Sequence, residues 1–448
     1  MKSPPEPTLL TLKFLGAPLG RLAYRPDGSV YALELDPAFL AGGHDLSPLS
    51  LPAATFAAGP RLFRLGDTPF AGGLPGLIAD SLPDTWGERM LRQELPEVKS
   101  VLGKLAAIGQ RGPGAITFEP VLGAGADLRP TDANLSELAH TVDTLRASPV
   151  PCTTDRRNAA LAQGGTSLGG AFPKTAAHLR LEGDVIDRRE ILIGGEPPPG
   201  FAPCILKFAR SSDEAEGAVE FAFWLMAKKA GIRLPRACLV HDGERRHFAS
   251  ERFDRYRRPD GTPARRHVHT LSRMLHRRAS DGAIDYEEFM RLSRRLGGAS
   301  EAQECFRRAL FNVLATNRDD HGRNHAFLYD ETDRSWTLSP AYDQNPNVAN
   351  VLIALTWLGS TQIPTQFASL LRLAEIGGIS PKTAREIYTQ VEAATVGGWR
   401  AAARQAGVPA GMIDYWHQEI TAQTRALRAD AKSAMRPAKP RGLGKTRR

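Results

Sequence analysis

A change of pattern near residue 254 divides the sequence into a strand-rich part and a mostly helical part. Before it, "AAHLRLEG" and "CILKFAR" have β character, and "DEAEGAVEFAFWLMAKKAGI" is a helix pattern that begins with acids and stops at Gly231. The segment "RACLVHDGERRHFASERFD" then alternates as a hairpin around an Asp-Gly turn. These segments predict an α+β fold in which a small β lobe faces a helical lobe across a cleft, the kind of place where ligands bind.

Length and local composition predict three folded parts and a tail. The 448 residues exceed what one ordinary core serves. We assign residues 1–105 to an N-terminal α+β subdomain, 106–252 to the β-rich lobe with one clear helix, and 253–427 to the helical lobe. Residues 428–448 hold eight Lys or Arg and one Asp, a net +7 of the chain's +9, and predict a disordered basic tail. That tail is either a nucleic-acid-binding arm or a solubilising segment.

Composition argues against a membrane span and against a disulfide framework. No stretch approaches 18 apolar residues, and "MKSPPEPTLL" lacks the apolar core of a signal peptide. The four cysteines are far apart and form no CxxC pair. This spacing argues against zinc and predicts a reducing, cytoplasmic location. Within the N-terminal subdomain, Asp84 is a predicted helix N-cap, with Trp86 and Met90 on one face of the helix.

The stretch "NRDDHGRN", residues 317–324, places acids and carboxamides beside the apolar segments "FNVLAT" and "HAFLY". Asp319 and Asn324 are five residues apart, which is the spacing of a kinase catalytic loop, where an Asp orients the acceptor hydroxyl and an Asn binds metal. Asp343 follows a predicted hairpin, as the second magnesium-binding carboxylate does in kinases. The alternative is a solvated turn before that hairpin. We expect His321 to bond to nearby backbone rather than to a metal.

A lysine and a glycine-rich segment supply candidate phosphate contacts. Lys207, in the apolar "ILKF", needs a counter-charge if it is buried, and Glu220 on the following helix is the predicted partner. The alternative is a strand lysine that extends to solvent. The segment "GGTSLGGAFPKTAAHL" offers glycines for close approach to phosphate and Lys174 for charge, although it matches neither GxGxxG nor a Walker sequence and is equally typical of a flexible connector. Ser167 within it is an exposed hydroxyl open to phosphorylation.

The Arg-rich stretch "RYRRPDGTPARRH" is predicted to be a solvated face.

Six segments together resemble the HipA family of serine/threonine-protein kinases, which are the toxins of type II toxin–antitoxin systems. The segments are "GLIADSLPDTWGERML", "SLGGAFPKTA", "ILKF", "ERFDR", "NRDDHGRN" and "LSPAYD". The resemblance covers residues 10–430, approximately. It implies a bilobal protein-kinase-like fold, with a β-rich N-lobe and a helical C-lobe, and an extra N-terminal α+β subdomain.

The resemblance also implies roles for individual residues. Asp319 would be the catalytic base, Asn324 and Asp343 would bind Mg²⁺, and Ser167 would be the autophosphorylation site that inactivates the enzyme by ejecting its loop. Lys207 would hold the phosphates, and Glu251 and Phe253 would form the hinge that faces adenine. The positions implied for ATP binding are Gly169, Gly170, Ala171, Phe172, Pro173, Lys174, Lys207, Glu251, Arg252, Phe253, His321, Gly322, Arg323, Asn324, Tyr342 and Asp343. Phe172 and Pro173, before the lysine, depart from the commonest family pattern.

The same resemblance implies partners and a cellular role. It implies a separate helix-turn-helix antitoxin (HipB-like) that binds operator DNA, and a protein substrate of the aminoacyl-tRNA synthetase class whose phosphorylation halts charging and induces dormancy, or persistence. We therefore predict an ATP- and magnesium-dependent serine/threonine kinase toxin. The alternatives are a small-molecule kinase of similar fold and a non-catalytic co-repressor scaffold for the antitoxin. The complete set of Lys207, Asp319, Asn324 and Asp343 argues against the scaffold.

Overall fold

In a computed structural model of the chain, the described residues are 6–25, 29–123, 130–147, 172–183, 185–187, 191–210, 215–279, 282–346 and 355–435. Their strands are β1 (Leu9–Phe14), β2 (Ala17–Arg25), β3 (Val30–Leu35), β4 (Arg61–Arg64), β5 (Ile116–Glu119), β6 (Thr131–Asp132), β7 (Lys174–Leu179), β8 (Val185–Asp187), β9 (Leu192–Ile193), β10 (Ala202–Lys207), β11 (Ala237–Asp242), β12 (Arg245–Glu251), β13 (Arg255–Arg257), β14 (Pro263–Arg265), β15 (His267–Thr270), β16 (Ala326–Tyr329) and β17 (Trp336–Leu338). Their α-helices are α1 (Pro37–Ala41), α2 (Gly76–Ala79), α3 (Thr85–Glu94), α4 (Val101–Ile108), α5 (Leu135–Ala147), α6 (Glu216–Lys229), α7 (Leu271–Met274), α8 (Tyr286–Leu314), α9 (Phe367–Ile376), α10 (Pro381–Ala394), α11 (Trp399–Gln405) and α12 (Ala410–Ala434). The architecture is α+β, as the sequence predicts.

The N-terminal domain is an antiparallel sheet with strand order β4-β3-β2-β1-β5, accompanied by short helices. Alternate residues of β1 are buried, among them Leu10 and Leu12, which matches a strand with one face on a core. The predicted boundary near residue 105 is too early, because β5 pairs with β1 and places Phe118 opposite Leu12. The domain therefore extends to Glu119.

The β-rich lobe is a sheet with strand order β6-β9-β7-β10-β12-β11-β8. The predicted hairpin is confirmed as β11 and β12, joined through Gly243 in the left-handed region at φ 60°. Helix α5 was not predicted, although Leu135, Leu138 and Val142 recur at helical spacing and are all buried. This lobe thus has two helices in its described part rather than one.

Helix α6 lies against the sheet at very short range. A Cβ added to Gly217 would lie 2.0 Å from the backbone oxygen of Arg246 in β12. Only a glycine permits this approach, which lets the first turns of α6 pack on the strand. The contact fixes the position of Glu220, one turn further along the helix.

The helical lobe is built around α8, which bends at Gly298 (φ 77°). The predicted hairpin after the acid-rich stretch is confirmed, since β16 and β17 pair in antiparallel register. The expectation of a mostly helical chain after Asp254 is wrong for residues 255–270, which form β13, β14 and β15. Strand β15 pairs with β16, so this strand is held by a partner far along the chain, which local pattern does not show.

Helix α12 corrects the predicted tail. It continues to Ala434, so residues 428–434 are helical rather than disordered. Ala431 is buried, and the Asp430 carboxylate accepts a hydrogen bond from the backbone N–H of Phe367 at 2.6 Å. Tertiary packing therefore outweighs the basic composition up to this point. The rest of the predicted tail, from residue 436, lies outside the described residues.

The N-terminal domain contacts both lobes. On the helical lobe, Asp80 accepts hydrogen bonds from the N–H of Thr270 at 2.9 Å and lies 2.6 Å from Nδ1 of His269. On the β-rich lobe, Trp86 and Met90 of α3 belong to the same buried cluster as Leu206 of β10. The prediction that Asp84 caps α3 is confirmed, because its Oδ1 accepts from the N–H of Gly87. The three parts are packed together rather than strung on linkers.

No helix in the described ranges is long and apolar enough to cross a membrane. Cys204 and Cys305 are buried free thiols, and Cys238 is buried as well. Cys152 lies outside the described residues.

Candidate active site

Lys207 joins the two lobes at the centre of the cleft. It is the last residue of β10, and its Nζ donates to Glu220 Oε1 of α6 at 2.5 Å and to Asp343 Oδ1 after β17. The predicted partner Glu220 is therefore in contact. The Glu220 side chain is 10% exposed and that of Asp343 is 29% exposed, so the bridge runs from the protein interior to the open cleft.

The charges of this bridge are strongly coupled. Burial alone would lower the pKa of Lys207, but the carboxylates of Asp343 and Glu220 raise it above its ordinary value. Burial likewise opposes ionisation of Asp343, yet Lys207 and Lys174 lower its pKa to about 2. For Glu220 burial prevails, and its pKa is raised despite Lys207. Lys207 and Asp343 are thus a charged pair at neutral pH.

The acid-rich stretch forms a loop held by its own carboxamides. Nδ2 of Asn324 donates to the backbone oxygen of Asp319 at 2.7 Å, and the N–H of Asp319 donates to Asn317 Oδ1 at 3.2 Å. The Asp319 side chain is 41% exposed, so its carboxylate is accessible from solvent. Burial raises its pKa, while the nearby His321 lowers it. The loop presents one reachable carboxylate on a fixed backbone.

The neighbouring acid has a different environment. Asp320 is buried and accepts hydrogen bonds from the hydroxyl of Tyr286 and from Nδ2 of Asn312. Burial raises its pKa to about 7. This carboxyl group anchors the loop to α8 and is not available to a ligand. Of the two consecutive aspartates, the structure places Asp319 at the cleft.

The middle of the loop is shaped by close packing. Nδ1 of His321 accepts from the N–H of Arg323 at 3.3 Å, which is the backbone role predicted for this histidine. A Cβ on Gly322 would lie 2.5 Å from Cδ1 of Ile284, so a larger residue here would require the end of that side chain to shift. Tyr342 donates its hydroxyl hydrogen to the backbone oxygen of Arg323 at 2.6 Å. That bond ties the loop to the residue before Asp343.

The oxygen donors present fit magnesium. Asp343 adopts a left-handed backbone, φ 57°, a conformation that is uncommon outside glycine and concentrates at functional sites. With its amide nitrogen committed to Asp319, Asn324 retains Oδ1 as an acceptor. Within the described ranges no group of three or more His, Cys, Asp or Glu side chains is arranged to hold a metal. One carboxylate and one carboxamide suit Mg²⁺, which keeps waters and shares substrate phosphates.

The predicted hinge borders a large cavity. The cavity has a volume of about 1420 Å³ and is lined in part by Glu251, Arg252 and Phe253, whereas Lys207 and Asp343 do not line it. The Phe253 ring lies 5.7 Å from the ring of Tyr342, whereas the Glu251 carboxylate pairs with Arg236. A nucleobase has room beside this segment. The side chain of Arg252 is instead paired with Asp254, at 2.9 and 3.0 Å.

The expectation that the Arg-rich stretch is a solvated face is wrong for Arg255. Its guanidinium donates to the Asp254 carboxylate and to the backbone oxygens of Gly112 and Gly114 in the N-terminal domain. Two arginines around one carboxylate hold the hinge against that domain. This contact spans more than 140 residues of sequence, so composition gave no sign of it.

The glycine-rich segment is described only from Phe172 onward. Gly169, Gly170, Ala171 and Ser167 lie outside the described residues. The Phe172 side chain is exposed, and Pro173 accepts a backbone hydrogen bond from Phe208. Lys174 begins β7, directly opposite Lys207 in the register of β7 and β10.

The side chain of Lys174 is buried, and its Nζ lies 3.3 Å from Oδ2 of Asp84. Sequence reasoning assigned Asp84 only a capping role and did not find this contact. The N-terminal domain thus reaches the proposed phosphate side of the cleft.

Comparison with known proteins gives matches along most of the chain. The family model of the HipA N-terminal domain matches residues 11–119, and that of the HipA-like C-terminal domain matches residues 166–399. The structure is similar to HipA of Shewanella oneidensis MR-1, solved in a complex with HipB and its operator DNA. The TM-score is 0.67 at 18% identity, over 95% of this chain and 98% of that one. This likeness establishes the fold.

Two further similarities are partial. A protein of Sinorhizobium fredii, Y4mE, whose name provisionally describes it as a kinase, is 29% identical over 167 residues. The match covers 35% of this chain and 33% of that protein, so it spans about a third of the relative's length. The proinflammatory kinase CtkA of Helicobacter pylori gives a TM-score of 0.29 at 9% identity, over 53% of this chain and 91% of that one. The CtkA likeness is too weak to inform the fold.

Proposed function

This chain belongs to the HipA family, and on that premise we propose that it is an ATP- and magnesium-dependent serine/threonine protein kinase that acts as the toxin of a type II toxin–antitoxin system. One observation carries the proposal: Lys207 bridges Glu220 and Asp343 across the cleft. Kinases need a lysine at the phosphates, held by a helix carboxylate, beside a metal-binding Asp. A strand, a helix and a post-hairpin residue supply these three groups here.

The other residues take roles that follow from their surroundings. Asn324 and Asp343 hold Mg²⁺, which when bound neutralises charge on the transferred phosphoryl group. Asp319 orients the acceptor hydroxyl and accepts its proton as the oxygen–phosphorus bond forms and ADP leaves. Its exposed carboxylate, on a loop fixed by Asn317 and Asn324, suits an acceptor that arrives from solvent. An exposed base favours a protein acceptor over an enclosed small molecule.

The partners are part of the same proposal. A HipB-like antitoxin binds this chain and carries it to operator DNA, which is supported by the fold shared with a HipA found in such a complex. The substrate is a protein of the aminoacyl-tRNA synthetase class, and its phosphorylation leads to persistence. Self-phosphorylation at Ser167 turns the kinase off.

The direct test is phosphoryl transfer from radiolabelled ATP by the purified protein. Asp319→Asn keeps the shape of the side chain but removes the base, so labelling should fall by about 10²- to 10⁴-fold. Asp414→Asn, which removes an exposed carboxylate from the surface pair with Arg400, should label normally. Full labelling by Asp319→Asn would exclude the proposed base.

The site of self-labelling needs a separate experiment. Ser167→Ala should lose self-labelling while transfer to an added protein acceptor persists. Peptide mapping that finds phosphate on a different residue would contradict the assignment of Ser167.

A further inference from the structure

A buried ion pair joins the N-terminal domain to the cleft. Nζ of Lys174 lies 3.3 Å from Oδ2 of Asp84, and the two side chains are 3% and 4% exposed. Oδ2 of Asp84 makes no hydrogen bond to any residue that the structure describes, so the ammonium group compensates its charge. A buried carboxylate of this kind is costly unless a cation is kept beside it.

Lys174 is placed among the charged groups of the active site. It lies opposite Lys207 in the pairing of β7 and β10. Its ammonium group interacts electrostatically with the charges of both Asp343 and Lys207. Burial lowers the pKa of Lys174, and the opposing effect of the Asp84 and Asp343 carboxylates offsets this only in part. Two ammonium groups on adjacent strands would repel each other without these carboxylates.

Asp84 is itself held rigidly. Its Oδ1 accepts from the N–H of Gly87 at 2.6 Å as the cap of α3. Two residues on, Nε1 of Trp86 donates to the backbone oxygen of Lys174 at 2.9 Å. Four residues earlier, Asp80 is bonded to Thr270 of the helical lobe. One short segment of the N-terminal domain therefore contacts the strand that carries Lys174 and the opposite lobe.

We infer that Asp84 is a positioning residue for phosphoryl transfer: it holds the ammonium group of Lys174 beside Lys207, so that the N-terminal domain completes the phosphate-binding site. Lys174 is the group that meets nucleotide phosphates, and Asp84 acts through it. This inference rests on the proposed kinase function. It adds that the N-terminal domain is part of the active site and not an accessory.

Asp84→Asn separates the two jobs of the side chain. Asparagine caps helices as well as aspartate does, so α3 keeps its N-cap while Lys174 loses its counter-charge. The variant should lower kcat/KM for ATP about 10- to 100-fold, because Lys174 is no longer fixed. Asp36→Asn is the matched control, since Asp36 caps α1 in the same domain and has no lysine partner in the described structure. It should behave like the unaltered protein.

Nucleotide competition distinguishes positioning from general damage. Asp84→Asn should weaken binding of ATP and ADP but leave binding of adenosine unchanged, because adenosine has no phosphates. Loss of adenosine binding as well would show that the cleft itself is distorted and would overturn the inference.

A double-mutant cycle tests whether Asp84 acts through Lys174. In a Lys174→Met background, Asp84→Asn should cause no further loss of kcat/KM. Independent, multiplying losses would contradict the inference even if each single variant is impaired.

The unaltered protein separates failure of this inference from failure of the proposed function. If the unaltered protein binds no ATP and transfers no phosphate, the kinase proposal fails. If it is active and the Asp84→Asn variant is unaffected, only the present inference is refuted.

Discussion

Two consecutive aspartates show how much a single position decides. Asp319 and Asp320 are adjacent in sequence, but the first has an exposed carboxylate and the second is buried against Tyr286. The backbone of one loop turns one acid to the cleft and the other to the interior. The acid-rich composition of this stretch thus serves both chemistry and anchoring.

Burial of one histidine is expected to make the free energy of unfolding depend on pH. His247 is fully buried, and its Nδ1 accepts from the N–H of Ala209 at 3.0 Å. Burial lowers its pKa from 6.5 to about 4. Between these pH values the unfolded chain binds a proton that the folded chain does not, so the free energy of unfolding should fall on acidification, by up to about 3 kcal/mol for this residue.

Urea unfolding at several pH values checks this. His247→Asn retains an acceptor for Ala209 but cannot titrate, so its free energy of unfolding should depend less on pH from 6.5 to 4. Identical slopes for both proteins would refute the assignment.

The contacts that the sequence predicts are those whose partners lie in consecutive elements of the chain. Glu220 was found because a strand with a lysine is followed directly by an acidic helix. The second role of Asp84 was not reachable, since Lys174 is 90 residues away and no periodicity relates them. Likewise, the spacing to Asn324 singles out Asp319, but only the fold shows that the neighbouring Asp320 is buried.

Helices and hairpins with strong local signals were predicted from the sequence, whereas the strands that form by pairing with distant segments were missed. The hairpin of β11 and β12 has its own turn, whereas β15 is a strand because β16 pairs with it. Helix α5 is a different case: its apolar spacing was present and was overlooked. Helix α12 outlasts its predicted end because Ala431 is buried.

Truncation tests the corrected end of α12. A chain that ends at residue 435 should be more stable than one that ends at residue 427, by about 2 kcal/mol. The shorter chain loses burial of Ala431, the hydrogen bond that Asp430 accepts from the N–H of Phe367, and the Arg428–Glu392 ion pair. Denaturant unfolding of the two proteins measures the difference. Equal free energies of unfolding for the two proteins would support the original prediction that the chain is disordered from residue 428.

For the whole molecule, the N-terminal domain and the helical lobe share one continuous apolar core. Phe14 of β1, Phe223 of α6, Phe311 of α8 and Leu427 of α12 belong to the same buried cluster. At the domain boundary, Ser47, His269 and Asp80 are linked in a row that resembles a hydrolase triad. Ser47 and His269 are both buried, so this row joins domains and meets no substrate.

A shared core predicts one unfolding event. Calorimetry of the intact chain should show a single cooperative transition, because neither part buries its apolar surface alone. Asp80→Asn removes the carboxylate that accepts from Thr270 and faces His269, and it should lower the midpoint of that same transition by about 5 °C. Two resolved transitions in the unaltered protein would show that the N-terminal domain is independent.

The bond from Arg318 to Gln423 of α12 has a consequence for synthesis on the ribosome. Arg318 begins the loop that carries Asp319, and its partner is translated 105 residues later. A nascent or prematurely terminated polypeptide therefore contains every proposed catalytic group before it contains the helix that braces them. We therefore expect a polypeptide that ends before α12 to have less of the proposed phosphoryl-transfer activity than the full chain, because the start of its catalytic loop lacks this bond.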